Sequence, residues 1–195
     1  MRMSIDEACA LVEREMPAKR WRHTLGVVES SVALAERFGA DAEKARIAAI
    51  LHDVAKFWPV EKQRQAILDD GDAAGLDTLL FDKELWHSHA GAFVARRDFG
   101  LDDAESLDAI RYHTSGRPGM TKLEKIVCLA DYIEPGRDFP GVDALRKLSE
   151  KSLEEALVAG FDGTLRFLIE QGKRIYPLTV LTRNDLLTQI RPGGF

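Results

Sequence analysis

The stretch AAILHDVAKF, residues 48–57, sets His52 and Asp53 side by side after an apolar run. The chain has only five histidines: His23, His52, His87, His89 and His113. His23 lies one helical turn before Val27, on a stripe that continues to Leu34. His113 follows Ile110 by three residues and Leu107 by six, which places it on the inner face of that segment. Asp131 follows Val127 by four and Leu123 by eight. Separate helices thus each point an imidazole or a carboxylate at the core. A buried carboxylate without a partner is costly and tends to protonate. A divalent cation removes that cost, and mixed imidazole and carboxylate donors suit zinc, iron, manganese or nickel. The alternative is that Asp131 pairs with an arginine while the histidines make core hydrogen bonds. Periodicity alone leaves both open.

The elements that must position these groups read as helices almost throughout. Ser4 and Glu7 form a capping-box pattern ahead of a helix that Pro17 ends. A second helix runs from about Ala18 to Phe38 and stops at Gly39. Asp41 is the N-cap expected for AEKARIAAILHDVAK, and Trp58-Pro59 breaks the chain before VEKQRQAILDD. Gly71 and Gly75 bracket an expected loop, with a short apolar piece near LDTLLF beyond it. HAGAFVARRDFG and DAESLDAIRYH follow as helices, and TSGRPGMT, residues 114–121, is a loop. KLEKIVCLADYIE is a strong helix closed by Pro135-Gly136. VDALRKLSE, SLEEALVAGFDGTLRFLIEQGK and a last helix near RNDLLTQI complete the chain, and RPGGF is expected to fray. Strand-like alternation is limited to short pieces such as LTVL. The fold class is therefore all-α, one domain of eight or more helices.

Composition narrows the classes. A chain of 195 residues buries roughly two thirds of its unfolded surface and needs no metal or disulfide merely to fold. The net charge of −5 argues against broad nucleic-acid binding, though a local cationic pocket for a small anion remains compatible. Cys9 and Cys128 form no Cys-x-x-Cys pair and suit a reducing compartment. The N-terminus carries acids at Asp6, Glu7, Glu13 and Glu15 and does not read as a signal peptide. No apolar run is long enough for a membrane span, so the expectation is a cytoplasmic protein without membrane association.

His23, then His52-Asp53, then Asp131 resembles the H…HD…D pattern of the HD superfamily of metal-dependent phosphohydrolases. RWRHTLGV, LHDVAK, HSHAGAF, YHTSGRPGM, LEKIVCLADYIEPGR and TVLTRNDLL together resemble its YqeK type, the bacterial symmetrical diadenosine tetraphosphate hydrolases. The matches run from about Arg20 to Leu187. The resemblance implies a single HD domain over residues 1–195, with a metal-binding core at about 18–135 and C-terminal helices at about 142–190. It implies two divalent ions, iron or else manganese. His23, His52, Asp53 and Asp131 would hold one and His87 and His113 the other, with Asp53 bridging. His89 is then a supporting or structural residue.

Two such ions share a hydroxide and make it a nucleophile at neutral pH. Its attack on a phosphorus, cleaving between the two middle phosphates, gives two ADP. Asp53 and Lys56 are the catalytic candidates; Lys56 follows Asp53 by three residues and would share its helical face. Lys56, Thr114, Arg117 and Arg137 are the candidate phosphate contacts, since guanidinium forks onto oxygens. For each, a solvated surface side chain is the plain alternative. Phe57, Trp58, Trp86 and Tyr112 lie near the motifs, and core packing is the simpler role for aromatics in a helical protein. The rival functions are another HD-type nucleotide phosphohydrolase or phosphodiesterase, such as a 5′-nucleotidase, and a non-catalytic nucleotide sensor. The partner in each case is a small nucleotide. A homodimer is compatible with the sequence, which does not specify oligomeric state.

Overall fold

Capping chemistry divides the chain into its helices. The computed structural model describes residues 4–191 and 193. Helix α1 (Ile5–Arg14) carries the full Ser4–Glu7 capping box. Helix α2 (Ala18–Phe38) ends where Gly39 turns left-handed, at φ 66°. Asp41 accepts from the Glu43 and Lys44 amides to start α3 (Ala42–Leu51). Then come α4 (Val60–Asp70), α5 (Ala73–Thr78), a 3-10 turn (Lys83–Leu85), α6 (Trp86–Arg97) and α7 (Ala104–Arg111). Helix α8 (Lys122–Ile133) opens with a Thr121–Glu124 capping box. Helices α9 (Val142–Ser149), α10 (Leu153–Glu170) and α11 (Pro177–Ile190) follow. No strand occurs among the described residues, and none of their helices is long and apolar enough to cross a membrane. The expected fraying of RPGGF falls partly on Pro192, Gly194 and Phe195, which lie outside the described residues.

Helix α8 is the hub. Every residue from Leu123 to Ala130 is buried, the pattern of a helix surrounded by protein. It packs against α2, α3, α7, α9 and α10. Helix α6 closes the opposite side through small residues. A Cβ on Gly91 would stand 3.5 Å from the His52 carbonyl oxygen, an ordinary contact distance, so α6 passes directly beside the His52 backbone.

Four boundaries differ from the sequence reading. Helix α3 stops at Leu51, and residues 52–57 run as tight turns with amides of Val54, Lys56 and Trp58 bonding three residues back. Lys56 is therefore on a turn and does not share a helical face with Asp53. His113 likewise lies two residues beyond the end of α7. Gly75 is not in a loop: the Asp72 side chain accepts its amide and starts α5 there. LTVL is helical, because Pro177 at the first turn presets α11 well before RNDLLTQI.

Candidate metal centre

Four imidazoles and two carboxylates meet where α2, the turn after α3, α6, the turn after α7 and α8 converge. The rings of His23 and His52 lie 5.7 Å apart, His52 and His113 5.0 Å, and His87 and His113 5.1 Å. His52, Asp53, His87 and His113 are all buried.

Hydrogen bonding fixes the tautomers. A carbonyl only accepts, so each imidazole nitrogen facing one must carry the proton. His52 Nδ1 donates to the Ala49 carbonyl at 2.6 Å, His87 Nδ1 to Glu84 at 2.8 Å and His113 Nδ1 to Ile110 at 2.8 Å. Their Nε2 atoms are left as lone pairs turned inward. His87 Nε2 and His113 Nε2 stand 3.2 Å apart, two acceptors face to face. His23 Nδ1 bonds the Glu134 carboxylate at 3.0 Å, and its Nε2 lies 2.9 Å from Asp131 Oδ1.

Asp53 sits between the two groups. Its Oδ2 is 3.2 Å from His52 Nε2, and its Oδ1 is 3.2 Å from His87 Nε2 and 3.7 Å from His113 Nε2. Arg20 from α2 also pairs with Oδ2. Among the buried polar atoms without a hydrogen-bonding partner are His23 Nε2, His52 Nε2 and Asp53 Oδ1. Orphaned acceptors converging in a buried site are repulsive unless a cation joins them. Ligating atoms of His23, His52 and Asp131 all lie within 4.8 Å of one another, as do those of His52, Asp53 and His113. The donor set therefore fits divalent metal.

Electrostatics agrees. Burial pushes His52 well below the ordinary imidazole value and pushes His87 and His113 down to about 3, so all three stay neutral, as ligands must be. Burial alone would raise Asp131, but the adjoining His23 ring and the Arg137 charge outweigh it and hold the carboxylate well below its ordinary value.

The HD domain family pattern matches residues 20–136. The chain belongs to the HD-domain family. It is 49% identical to the symmetrical bis(5′-nucleosyl)-tetraphosphatase of Bacillus subtilis, over 95% of this chain and 99% of the relative. It is 41% identical to the protein of the same name from Halalkalibacterium halodurans, over 96% and 99%. A crystal structure from Clostridium acetobutylicum superposes with a TM-score of 0.91 at 41% identity, covering 96% of this chain and 98% of that one. It is described as a predicted HD superfamily hydrolase involved in NAD metabolism. HD-domain hydrolases depend on metal, which accords with the donor set here.

The remaining candidates separate in this HD-domain structure. Lys56 Nζ stands 3.3 Å from His87 Nδ1, and burial lowers its pKa. Thr114 Oγ1 is 3.4 Å from His87 Nε2. Arg137 is anchored on Asp131, with Nη2 on Oδ1 at 2.5 Å and Nε on the carbonyl at 2.7 Å, and its side chain lines a cleft. Arg117 is not offered to that cleft. Its fork holds buried Glu124 through two 2.8 Å bonds, reaches Asp108 at 3.0 Å and covers the Tyr112 ring. His89 lies outside the cluster, buried edge-on to Tyr112.

The cleft has a volume of about 1180 Å³ and opens beside His23. Lys19, Arg20, Arg22 and Arg137 bring positive charge to it against the acids Glu29, Glu134 and Asp138, and Phe57 and Phe139 give it apolar wall. A smaller recess of about 150 Å³ adjoins His87 and includes Lys56 and Lys83. Of the four aromatics near the motifs, Trp58, Trp86 and Tyr112 are engaged with Glu15, Thr78 and Arg117, and Phe57 faces the cleft. The basic run AKRWRH, readable in the sequence as a lining for the entrance of an anionic substrate, does line the cleft, but the pairings of Arg20 with Asp53 and of Glu134 with His23 were not foreseen. Arg20 shares the His23 face three residues earlier, and Gly26, a glycine inside a helical pattern, marks a close approach without saying that Glu134 makes it.

Proposed function

We propose that the chain is a metal-dependent hydrolase that converts diadenosine tetraphosphate and water into two ADP. The observation that carries the chemistry is the convergence of His23, His52, Asp53, His87, His113 and Asp131 with acceptor atoms facing one another. Near-full-length identity to two proteins named symmetrical bis(5′-nucleosyl)-tetraphosphatase supports the substrate. His23, His52, Asp53 and Asp131 would hold one divalent ion and His87 and His113, with Asp53, a second; the donors suit several divalent metals, and the family resemblance favours iron, with manganese the alternative. When bound, such ions supply Lewis acidity and lower the pKa of water.

The chain's own residues do the rest. The bond broken is the phosphoanhydride between the two middle phosphates. The departing ADP carries charge on its terminal phosphate, so the leaving group needs neutralisation more than protonation. Lys56, which pairs with the Glu84 carboxylate at 3.5 Å and lies beside His87, supplies an ammonium on one side of the centre. The basic wall of the cleft, with Arg22 and the exposed edge of Arg137, meets phosphates on the other side. Phe57 and Phe139 offer apolar surface to a nucleoside. Thr114 adds a hydroxyl next to His87. Free Cys9 and Cys128 suit a reducing cytoplasm.

The test offers the iron- or manganese-loaded protein diadenosine tetraphosphate, NAD, ATP, GDP, AMP and a cyclic dinucleotide, with chromatography of the products. Two ADP as sole product from the first substrate supports the proposal. ATP plus AMP refutes symmetrical cleavage, and preferential turnover of NAD favours the reading attached to the Clostridium protein.

A further inference from the structure

Three of the four clustered histidines fix their proton with the main chain. His52, His87 and His113 lie at or beside helix ends and each uses a carbonyl three residues back. His23 differs. It lies in the second turn of a 21-residue helix, where carbonyls already accept ladder hydrogen bonds. Its Nδ1 turns instead to a carboxylate, Glu134 Oε1, at 3.0 Å.

That carboxylate is held in place from several sides. Glu134 is the residue at which the chain leaves α8. Its Oε2 accepts the Gly136 amide at 2.5 Å. Its carbonyl accepts from the Arg137 amide at 2.9 Å and from Arg146 Nη2 at 3.0 Å. Arg146, from α9, also binds the carbonyls of Ile133 and Arg137, so the segment is stapled. Two glycines make the slot. A Cβ on Gly26 would stand 2.5 Å from Oε2, and one on Gly136 would stand 3.0 Å away. Glycine inside a helix is disfavoured relative to alanine, and the slot gives Gly26 its physical reason.

We propose that Glu134 is a positioning residue: its carboxylate, seated between Gly26 and Gly136, keeps the His23 proton on Nδ1 and so leaves Nε2 as a lone pair beside Asp131. The proposal rests on the reading of His23 as a metal ligand. A carboxylate on the outer nitrogen also makes the imidazole a stronger donor. Glutamine cannot replace it. An amide that gives its oxygen to the Gly136 N–H presents its NH₂ to His23 Nδ1 and favours the wrong tautomer. The reverse orientation sets two donors against each other at Gly136.

The experiment is a manganese titration against a competing chelator, using full-length wild type, Glu134→Gln and Gly26→Ala, with circular dichroism as the check on folding. It is paired with nitrogen NMR of the metal-free wild-type imidazoles at about pH 8.5, two units above the ordinary histidine value. Expected are a His23 proton on Nδ1 in wild type and one manganese site weakened about 10–100-fold in Glu134→Gln, with a loss in the same direction in Gly26→Ala. A wild-type His23 ring protonated on Nε2 overturns the proposal without any variant. Unchanged manganese affinity in a folded Glu134→Gln also overturns it. If wild type binds no manganese, the metal reading has failed, and the ring tautomer alone still decides whether Glu134 directs the proton.

Discussion

Replacing Arg117 by alanine separates a structural arginine from a substrate clamp. Its guanidinium makes two 2.8 Å bonds to Glu124, whose side chain is fully buried, and a 3.0 Å bond to Asp108. Removing one partner of a buried pair typically costs about 3–5 kcal/mol, because the other charge is stranded. Two features reduce that here. The Arg117 side chain is 32% exposed, so water screens the pair, and the Thr121 amide still donates to Glu124 at 3.2 Å. A loss of about 2–3 kcal/mol follows. For a domain of this size each kcal/mol moves the melting temperature by about 2–4 °C, so Arg117→Ala should melt about 4–12 °C lower. The assay is a calorimetric melt, with KM for diadenosine tetraphosphate measured well below the transition. An unchanged melt with a KM raised tenfold or more would refute the reasoning and return Arg117 to the phosphates.

Lys56→Ala should keep its bound metal and lose about 100-fold in kcat, the scale of one transition-state charge contact, checked by metal analysis beside steady-state rates. His87→Ala should lose one ion of two and retain the other at His23, His52 and Asp131, read by metal stoichiometry. Acid should destabilise the metal-free protein: His87, His89 and His113 have folded values of about 3 against 6.5, so the unfolded chain takes up protons first. Their contribution is therefore intact above pH 6.5 and is lost as pH falls toward 3, at up to about 1.4 kcal/mol per histidine per pH unit. Urea midpoints at several pH values check the slope, and a midpoint that rises on acidification would contradict it. Cys128 is fully buried with its thiol pushed up by burial, so a thiol reagent should titrate at most Cys9 in the native protein and both thiols in denaturant.

The centre was legible where helical period carried it. His23 sits on a long amphipathic helix whose apolar neighbours give away the inward face, and Asp131 follows Val127 and Leu123 at helical spacing on the buried α8. His113 and Lys56 kept useful positions for another reason than the one their spacing suggested. The turns bond three residues back after α3 and four back around His113, so the chain's rotation continues briefly after each helix ends and a helical count still points inward. Arg117 misled because a loop arginine beside glycine and proline looks free, while its partner Glu124 is hidden on the buried side of α8. Glu134 was unreadable as a partner of His23, since that pairing depends on two glycines far apart in the chain that meet only once α2 and the end of α8 are packed. Helix α11 began early because a proline that breaks a helix inside it starts one at its first turn.

Asp53 is the residue on which a two-ion centre stands or falls, since its carboxylate reaches His52 through one oxygen and His87 and His113 through the other. The most direct measurement is metal stoichiometry of wild type and Asp53→Ala after loading with manganese and gel filtration. Wild type should carry two ions per chain and the variant neither, with the helical circular dichroism retained. A folded Asp53→Ala that still carries two ions would contradict this.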